Sequence, residues 1–276
     1  MNITAAQVNE LRKLTGAGMM DCKKALVESK GDIKAAIDYL RKKGQKVAAN
    51  RADRQATEGV IVSKTNDTHS YAALIMVNCE TDFVAKNEDF IAYVHSILDL
   101  AVAQKVNSLD QLKTLELNGR KIEDTIIDQT GVIGEKIDLG AFFFIEAPAT
   151  AAYIHPGNRL ATIVGLNKPQ SEHINQLGRE LAMQIAAMDP IAIDQDDVPQ
   201  EVIQREIEVG MDKARNEGKP EHLLEKIAKG TLNKFFRENT LLNQDFVRDT
   251  KKTVRQYLTE ADKDLTVTAF KRVMLG

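Results

Sequence analysis

The stretch NCETDFVAK, from Asn78 to Lys86, joins a predicted strand to a predicted helix, and we call it the junction. Upstream of it, Tyr71–Val77 is an almost unbroken apolar run of the length of a strand. Downstream of it, apolar residues recur at helical spacing, at Phe90, Ile91, Val94, Ile97, Leu98 and Ala101. The sequence therefore predicts that the junction lies at a sheet edge, where the chain turns from a strand into a long helix.

The junction places polar and bulky apolar residues side by side at a helix start. Thr81 or Asp82 can cap this helix, because a short side-chain oxygen accepts hydrogen bonds from the free N–H groups of the first turn. Phe83 and Val84 then follow near the exposed end of the helix. Two interpretations stay open on these residues alone: Phe83 belongs to the core, or it is a contact for a partner.

Two stretches resemble the signature stretches of the bacterial elongation factor Ts family: TDFVAKNEDF at Thr81–Phe90 and LRKLTGAGMMDCKKAL at Leu11–Leu26. The likeness spans nearly the whole chain and continues through GDIKAAIDYLRKKG (Gly31–Gly44), EGVIV (Glu58–Val62), HPGNRLATIVGL (His155–Leu166), AMQIAAMDP (Ala182–Pro190) and the region near Leu242–Leu258. Members of this family are the nucleotide-exchange partners of elongation factor Tu, the GTPase of translation elongation. The resemblance therefore implies a guanine-nucleotide exchange factor that binds this GTPase with GDP and promotes GDP release.

The resemblance also implies roles for the junction residues. In the family, the aromatic residue of the TDFV motif is inserted between elements of the GTPase domain and disturbs its magnesium site indirectly. Carried over to this sequence, Phe83 is the inserted residue and Val84 packs beside it. Thr81 and Asp82 shape the start of the helix that presents them.

Three further residues are expected to contact the GTPase. The TGAGMM turn between two predicted helices places Met19 and Met20 at a surface, and methionine adapts readily to a partner. Filling the core between the helices is the alternative for both residues. His155 precedes a turn at the end of a predicted strand, where a partner can reach it. The resemblance assigns His155 to the edge of a second subdomain, whose contacts displace the phosphate-binding loop of the GTPase.

Length and composition indicate an ordinary soluble globular protein. The chain has 276 residues, 43% of them hydrophobic and 28% charged, which suits two domains or one domain with appendages. No apolar run approaches the roughly 18 residues of a membrane span, and the N-terminus lacks the features of a signal peptide. We expect a cytoplasmic protein without a membrane partner, in which Cys22 and Cys79 are buried thiols.

The formal net charge of −3 hides an uneven distribution along the chain. Residues 1–54 contain 12 Lys and Arg against 6 Asp and Glu, and such a basic end can meet an acidic protein or a nucleic acid. The lysines are scattered over predicted helices, and Tyr39 is the only aromatic residue before Tyr71. This pattern favours a solvated face or an acidic protein surface, so we expect no nucleic-acid partner.

The N-terminal residues predict three short helices followed by a linker. The first helix begins with the capping-box spacing of Thr4 and Gln7, ends at Gly16, and has Val8, Leu11 and Leu14 on one face. The others are Met19–Ser29 and a helix that Asp32 caps and Gly44 closes. The polar segment Gln45–Thr57 follows as a linker. We therefore assign 1–54 to a three-helix bundle that resembles a ubiquitin-associated domain, together with its linker.

A hairpin followed by a helix is predicted twice, which indicates an α+β core of two related subdomains with antiparallel sheets. The first set is Gly59–Lys64, Ser70–Asn78 and the helix from Glu88 to about Lys105. The second set is Ile137–Glu146, Thr150–His155, Arg159–Leu166 and the helix Glu172–Met188. We assign 55–136 to the first subdomain and 137–198 to the first part of the second.

A charged helical hairpin is predicted from Pro199 to about Lys229, with a break at Gly218–Pro220. Its apolar stripe is too narrow for deep burial: Val202, Ile203, Ile207, Leu224, Ile227 and Ala228. It resembles the antiparallel coiled-coil arm of the family, and we assign 199–231 to it. The TVRQYL helix and a strand near Leu265–Val273 return the chain to the second subdomain over 232–276.

No group of residues in the sequence predicts an enzyme. The chain contains no GxxxxGK[ST] phosphate loop, GxGxxG fingerprint, GxSxG elbow or HExxH helix, and its five histidines are scattered singly. We expect no catalytic residue, no metal, no cofactor and no direct nucleotide binding. Self-association to a homodimer, or to a heterotetramer with the GTPase, stays open.

Two other functions remain as alternatives on the sequence alone. A nucleic-acid-binding protein that uses the basic N-terminal helices would bind with steep salt dependence, because neutralised phosphates release counterions. A hydrolase or transferase with an unrecognised site would turn over a substrate by itself.

Overall fold

A computed structural model describes residues 3–276 and shows an α+β fold with antiparallel sheets. The helices are α1 (Ala5–Thr15), α2 (Met19–Glu28), α3 (Ile33–Arg51), α4 (Asp82–Ala85), α5 (Glu88–Ala103), α6 (Leu109–Thr114), α7 (Ile122–Ile133), α8 (Glu172–Met188), α9 (Gln200–Asn216), α10 (Glu221–Asn239) and α11 (Val254–Ala261). The strands are β1 (Glu58–Thr65), β2 (Tyr71–Cys79), β3 (Glu116–Leu117), β4 (Arg120–Lys121), β5 (Asp138–Glu146), β6 (Ala149–Ile154), β7 (Leu160–Leu166), β8 (Asp245–Phe246), β9 (Asp249–Thr253) and β10 (Val267–Met274).

Helices α1 to α3 form an N-terminal bundle with its own apolar core. The Thr4–Gln7 capping box begins α1, and Gly16 ends it in the left-handed conformation, as predicted. The core comprises Val8, Leu11, Ala17, Cys22, Ala25, Leu26 and Ala36. The prediction that Leu14 faces inward with Val8 and Leu11 is wrong, because Leu14 is 61% exposed.

Gly44 does not end α3, which continues to Arg51, so the prediction of a linker from Gln45 is wrong. Gly44 instead faces Gly131 of α7, where a Cβ atom added to Gly131 would lie 2.4 Å from the Gly44 Cα atom. The two helices therefore cross with their backbones in direct contact, which requires a residue without a side chain at position 131. The bundle consequently packs against the rest of the chain through α3 and α7.

The first sheet has the strand order β1-β2-β5, with both pairs antiparallel. Its β1–β2 hairpin was predicted, but β5 pairs with β2, with Leu74 opposite Phe143. The segment Ile137–Glu146, which was assigned to the second subdomain, therefore contributes its strand to the first sheet. Helix α5 covers the outer face of this sheet through Phe90, Val94, Ile97 and Leu98.

The second sheet has the order β10-β7-β6 and packs face to face against the first. Ile61, Leu74 and Ile145 of the first sheet contact Ala161 and Ile163 of the second. Helix α8 covers the other face, burying the predicted residues Ile174, Leu177, Leu181 and Ile185. The strand β10 pairs antiparallel with β7, which confirms that the end of the chain returns to this sheet.

Helices α9 and α10 form the helical hairpin expected after Pro199, and Gly210 packs against Ala228 where they meet. The predicted end of the second helix near Lys229 is wrong, since α10 continues to Asn239. The extension brings Phe236 into a small apolar cluster with Ala192 and Val198. The base of the hairpin is therefore part of the packed structure.

Residues 3–276 lack two kinds of feature. No helix there is long and apolar enough to cross a membrane. No group of histidine, cysteine and acidic residues in that range has the arrangement of a metal site. Cys22 and Cys79 are both free and buried, as expected.

Candidate functional site

The junction, Asn78–Lys86, consists of the end of β2 and the single turn of α4, and α5 follows it. The strand ends at Cys79, Thr81 occupies the N-cap position of α4, and α5 begins at Glu88. The long helix has its own cap, because the side chain of Asn87 accepts a hydrogen bond from the Phe90 N–H group at 3.1 Å. The structure thus adds the short helix α4 before the predicted long helix, which begins at Glu88 as expected.

Phe83 projects from α4 into solvent. Its side chain is 83% exposed, the largest fraction among the large apolar side chains of residues 3–276. Burying a phenylalanine stabilises a fold by about 1.5–3 kcal/mol, and the isolated chain forgoes this contribution here. Val84 turns the other way and packs against the core of the first sheet. The interpretation of Phe83 as a core residue is therefore wrong.

Thr81 is held by Glu135, the second residue after α7, and its side chain does not cap α4. The Thr81 hydroxyl donates to Glu135 Oε1 at 2.7 Å. Glu135 Oε2 accepts the N–H groups of Glu80 at 3.1 Å and of Thr81 at 3.0 Å. Hydrogen bonds to a carboxylate are stronger than those between neutral groups, so the hydroxyl points to Glu135 instead of the helix start.

Asp82 lies in the first turn of α4 and pairs with Lys86 at 2.6 Å. The Lys86 ammonium group lowers the pKa of the Asp82 carboxyl by hydrogen bonding and by charge. A negative side chain at this end of a helix also interacts favourably with the free N–H groups there. Asp82 is therefore ionised and exposed beside Phe83.

Glu80 connects the junction to the end of α3. Its carboxylate accepts the Lys136 N–H group at 2.6 Å and pairs with Arg51 at 2.7 Å. The Lys136 N–H group and then Arg51 lower the pKa of Glu80. The Lys136 ammonium group donates to the backbone carbonyls of Ala52 at 2.8 Å and Arg54 at 3.1 Å.

Sequence reasoning missed the roles of Glu80, Glu135 and Lys136. Each is a charged residue beside a helix or strand end, a pattern that is common on any protein surface. Nothing in their spacing shows that the chain folds back to bring residues 55 positions apart into hydrogen-bond contact.

Cys79, the last residue of β2, is buried, and its thiol donates to the Thr81 carbonyl at 3.2 Å. Burial raises the pKa of Cys79 to about 12, and the nearby carboxylates of Glu135 and Glu58 contribute to the shift. The thiol is therefore neutral at physiological pH and acts as a hydrogen-bond donor rather than a nucleophile.

His155 lies in the exposed turn between β6 and β7, as predicted. Its Nδ1 atom is 3.0 Å from the hydroxyl of Tyr153, and the two rings meet edge to face. The imidazole is thus oriented by a neighbour but remains accessible.

The turn that carries His155 lies at the same end of the packed sheets as the junction. The Asn158 carbonyl accepts the Ile61 N–H group at 2.7 Å, and Arg159 forms an ion pair with Glu58. Glu58 is directly opposite Cys79 in the β1–β2 ladder. Contacts between the two sheets therefore bring His155 near the junction, although the sequence separates them widely.

Met19 and Met20 form a separate surface at the start of α2. Their side chains are 55% and 74% exposed, so the interpretation that they fill the bundle core is wrong. Leu14 is exposed on the preceding helix. This surface is linked to the junction only indirectly, through α3 and the Arg51–Glu80 pair.

Beside the contact of α3 with α7, a cleft of about 560 Å³ lies between the N-terminal bundle and helices α5 and α7. Its lining mixes acidic and basic side chains, and two ion pairs form within it, Lys43 with Asp21 at 2.5 Å and Arg120 with Asp128 at 2.9 Å. Burial raises the pKa of Asp128 in spite of Arg120. Because the charges neutralise one another, the cleft presents no group of one sign for a phosphate or a cation.

Known proteins are similar to this chain over its whole length. The model of the family described as Elongation factor TS matches residues 80–276, beginning inside the junction. The chain is 48% identical over 274 residues to Elongation factor Ts of Christiangramia forsetii, covering 99% of each protein. It is 50% identical over 276 residues to Elongation factor Ts of Amoebophilus asiaticus, covering all of both. Elongation factor Ts of Porphyromonas gingivalis is 48% identical over 277 residues, which include all of this chain.

Proposed function

The chain belongs to the elongation factor Ts family, and on that premise we propose that it is a guanine-nucleotide exchange factor of translation elongation. It binds elongation factor Tu with GDP, promotes release of the GDP and so allows GTP to load. The observation that supports this most is Phe83, an apolar side chain left in solvent at the end of a well-packed sheet. Aromatic side chains, phenylalanine among them, are enriched in protein interfaces relative to the rest of the surface.

The proposed mechanism is insertion of Phe83 into the GTPase domain, with Asp82 as its polar neighbour. Insertion separates elements that support the magnesium ion, and contacts from the edge that carries His155 displace the phosphate-binding loop. Linkage requires that the factor and GDP weaken each other's binding to the same extent. A ten-thousand-fold effect corresponds to about 5.5 kcal/mol of differential interaction, which one buried aromatic residue and a broad interface can supply.

This mechanism makes and breaks no covalent bond, so the protein is not an enzyme in its own right. It needs no cofactor and binds no nucleotide directly, because the nucleotide stays in the site of the GTPase. We place the activity in the cytoplasm, where translation elongation takes place.

The division of the chain is proposed on the same basis. The bundle and its connection (1–54) correspond to a ubiquitin-associated-like domain, and α9 and the start of α10 (199–231) to a coiled-coil arm. The two core subdomains take up 55–136 and the segments 137–198 and 232–276. Within that division, β5 is shared, because it pairs with the first sheet.

Calorimetric titration of elongation factor Tu tests the proposed function at equilibrium. The chain is expected to bind the nucleotide-free GTPase far more tightly than the GDP form, and saturating chain is expected to weaken GDP binding by the same factor. Equal affinity for both forms would contradict the proposal. Binding to RNA that falls steeply with salt would favour the nucleic-acid alternative.

The Met19 and Met20 surface is expected to provide affinity. Replacing both residues by alanine removes exposed apolar contacts far from Phe83, so the affinity for the GTPase should fall about tenfold or more, which is at least 1.4 kcal/mol. The exchange rate at saturation should change little. A concentration series of stimulated GDP release separates the two quantities. Val209→Ala, an equally exposed position on the hairpin, is the control, and unchanged affinity in the double variant would refute the assignment.

The tip of the helical hairpin is expected to be dispensable for folding. Replacing residues 211–227 by a short Gly/Ser linker keeps the Gly210–Ala228 contact and the packing of Phe236. The melting temperature should stay close to that of the parent, with much of the exchange activity retained. By contrast, Phe236→Ala should destabilise the fold by about 3–5 kcal/mol. Global unfolding of the shortened chain in a thermal melt would show that the tip contributes to the core.

A further inference from the structure

We propose that Glu135 is a positioning residue for Phe83, an inference that rests on the proposed exchange function. Its carboxylate fixes the backbone from which α4 begins and so holds Phe83 in the orientation required for insertion. Glu135 itself need not contact the GTPase.

The hydrogen bonds to Glu135 converge on the two residues that precede α4. Both carboxylate oxygens are used: Oε2 accepts the N–H groups of Glu80 and Thr81, and Oε1 accepts the Thr81 hydroxyl. The Cys79 thiol holds the Thr81 carbonyl from the other side. Thr81 is thereby held through its N–H, its hydroxyl and its carbonyl group.

Helix α4 depends on such external contacts because it is too short to be stable alone. It has four residues, whereas isolated helices below about 12–15 residues are marginal in water. Of its own side chains, Val84 and Ala85 pack partly buried against the core, whereas Phe83 is exposed, so packing secures one face of α4 but does not hold Phe83. The direction in which Phe83 projects is therefore set largely at Thr81.

Glu135 is in turn held in place by its surroundings. Gly134 ends α7 in the left-handed conformation, which sets the course of the chain into Glu135. The next residue, Lys136, donates its N–H group to Glu80 and its ammonium group to the carbonyls of Ala52 and Arg54. The same two-residue segment thus holds both the start of α4 and the end of α3. The Phe83 and Met19–Met20 surfaces are consequently kept in a fixed spatial relation.

The test compares Glu135→Gln with the parent protein in stimulated GDP release. The uncharged amide accepts the N–H groups of Glu80 and Thr81 only through weaker, neutral hydrogen bonds, and its NH2 group donates to the Thr81 hydroxyl in place of the bond that Oε1 accepts. We expect the rate at saturation to fall about fivefold to tenfold, equivalent to about 1–1.4 kcal/mol. The half-saturating concentration and the melting temperature should change little. Glu116→Gln, at an exposed carboxylate on β3, should behave like the parent.

Amide hydrogen exchange of the free protein provides a readout that does not require the GTPase. The Glu80 and Thr81 amides should be protected in the parent and should exchange faster in Glu135→Gln. Faster exchange together with a lower saturated rate supports the proposal. Unchanged amide protection overturns it, and so does a loss of activity that merely follows a lowered melting temperature.

A second variant keeps the inference testable if Glu135→Gln folds poorly. Thr81→Val removes the hydroxyl donor but keeps both backbone hydrogen bonds, so the saturated rate should fall less, by about threefold or 0.65 kcal/mol. An unchanged saturated rate in Thr81→Val and Glu135→Gln overturns the proposal. If the parent itself fails to accelerate GDP release, the proposed function is wrong, and the amide protection alone decides whether Glu135 holds the start of α4.

Discussion

Replacing Phe83 by alanine should slow stimulated GDP release about tenfold to a hundredfold at subsaturating concentrations, with almost no change in melting temperature. The side chain is 83% exposed, so its removal takes little packing from the folded protein. The loss appears in the complex instead, where each lost 1.4 kcal/mol of differential binding reduces the rate about tenfold. Asp82→Ala should have the same kind of effect with a smaller magnitude.

Phe90→Ala is the matched control for this experiment. Phe90 lies a short distance along the chain but is buried against the first sheet, so the same substitution should cost about 3–5 kcal/mol of stability. Its exchange activity should fall only as the folded fraction falls. A strongly lowered melting temperature for Phe83→Ala, with a proportionate loss of exchange, would refute the insertion mechanism.

Replacing Gly131 by alanine should weaken the packing of the N-terminal bundle on α7 and lower the stability of the fold. The new Cβ atom would lie 2.4 Å from the Gly44 Cα atom, and a backbone atom cannot move aside as a flexible side chain does. Helices α3 and α7 must separate, at a cost of about 1–3 kcal/mol typical of overpacking. Thermal and urea denaturation measure this loss, and faster amide exchange in α3 would locate it.

Gly44→Ala provides the control at the same helix crossing. A Cβ atom at Gly44 would lie 3.5 Å from Gly131 Cα, an ordinary contact distance. Alanine favours a helix interior over glycine by about 0.8–1 kcal/mol, so this variant should be neutral or slightly stabilised. Equal stability of the Gly44 and Gly131 variants would show that the two helices do not pack as closely as described.

The sequence predicted the elements whose signals are local. Tyr71–Val77 is a strand because its side chains are buried on both faces, and α8 matches its apolar spacing because one face packs on the second sheet. The cap at Thr4 and the stop at Gly16 depend only on neighbouring residues. Each of these features needs no knowledge of what lies across the molecule.

The errors concern contacts between distant parts of the chain. In the sequence, Gly44 is typical of a helix end. In the structure it lies inside α3, where it allows close contact with Gly131. Nothing in the apolar run of β5 shows whether it pairs with β2 or with β6. Helix α10 continues past Lys229 because Phe236 packs in an apolar cluster with Ala192, which is distant in sequence.

The candidate site divides in the same way. Phe83, Met19 and Met20 were identified from the sequence motifs, but only the structure distinguishes exposed positions from core positions. The proximity of His155 to the junction depends on the contact between the sheets through Glu58 and Arg159. The sequence does not indicate a role for Glu135, because that role depends on the backbone N–H groups and the Thr81 hydroxyl that the fold brings to it.

The rate of GDP release from elongation factor Tu shows directly whether this chain is an exchange factor. Elongation factor Tu loaded with fluorescent GDP is mixed with excess unlabelled nucleotide and increasing amounts of the chain, and loss of the label is timed. An exchange factor should give a rate that rises with its concentration, reaches a plateau, and requires only catalytic amounts of a chain that is recovered unchanged. Release at the spontaneous rate at every concentration would contradict the proposed function.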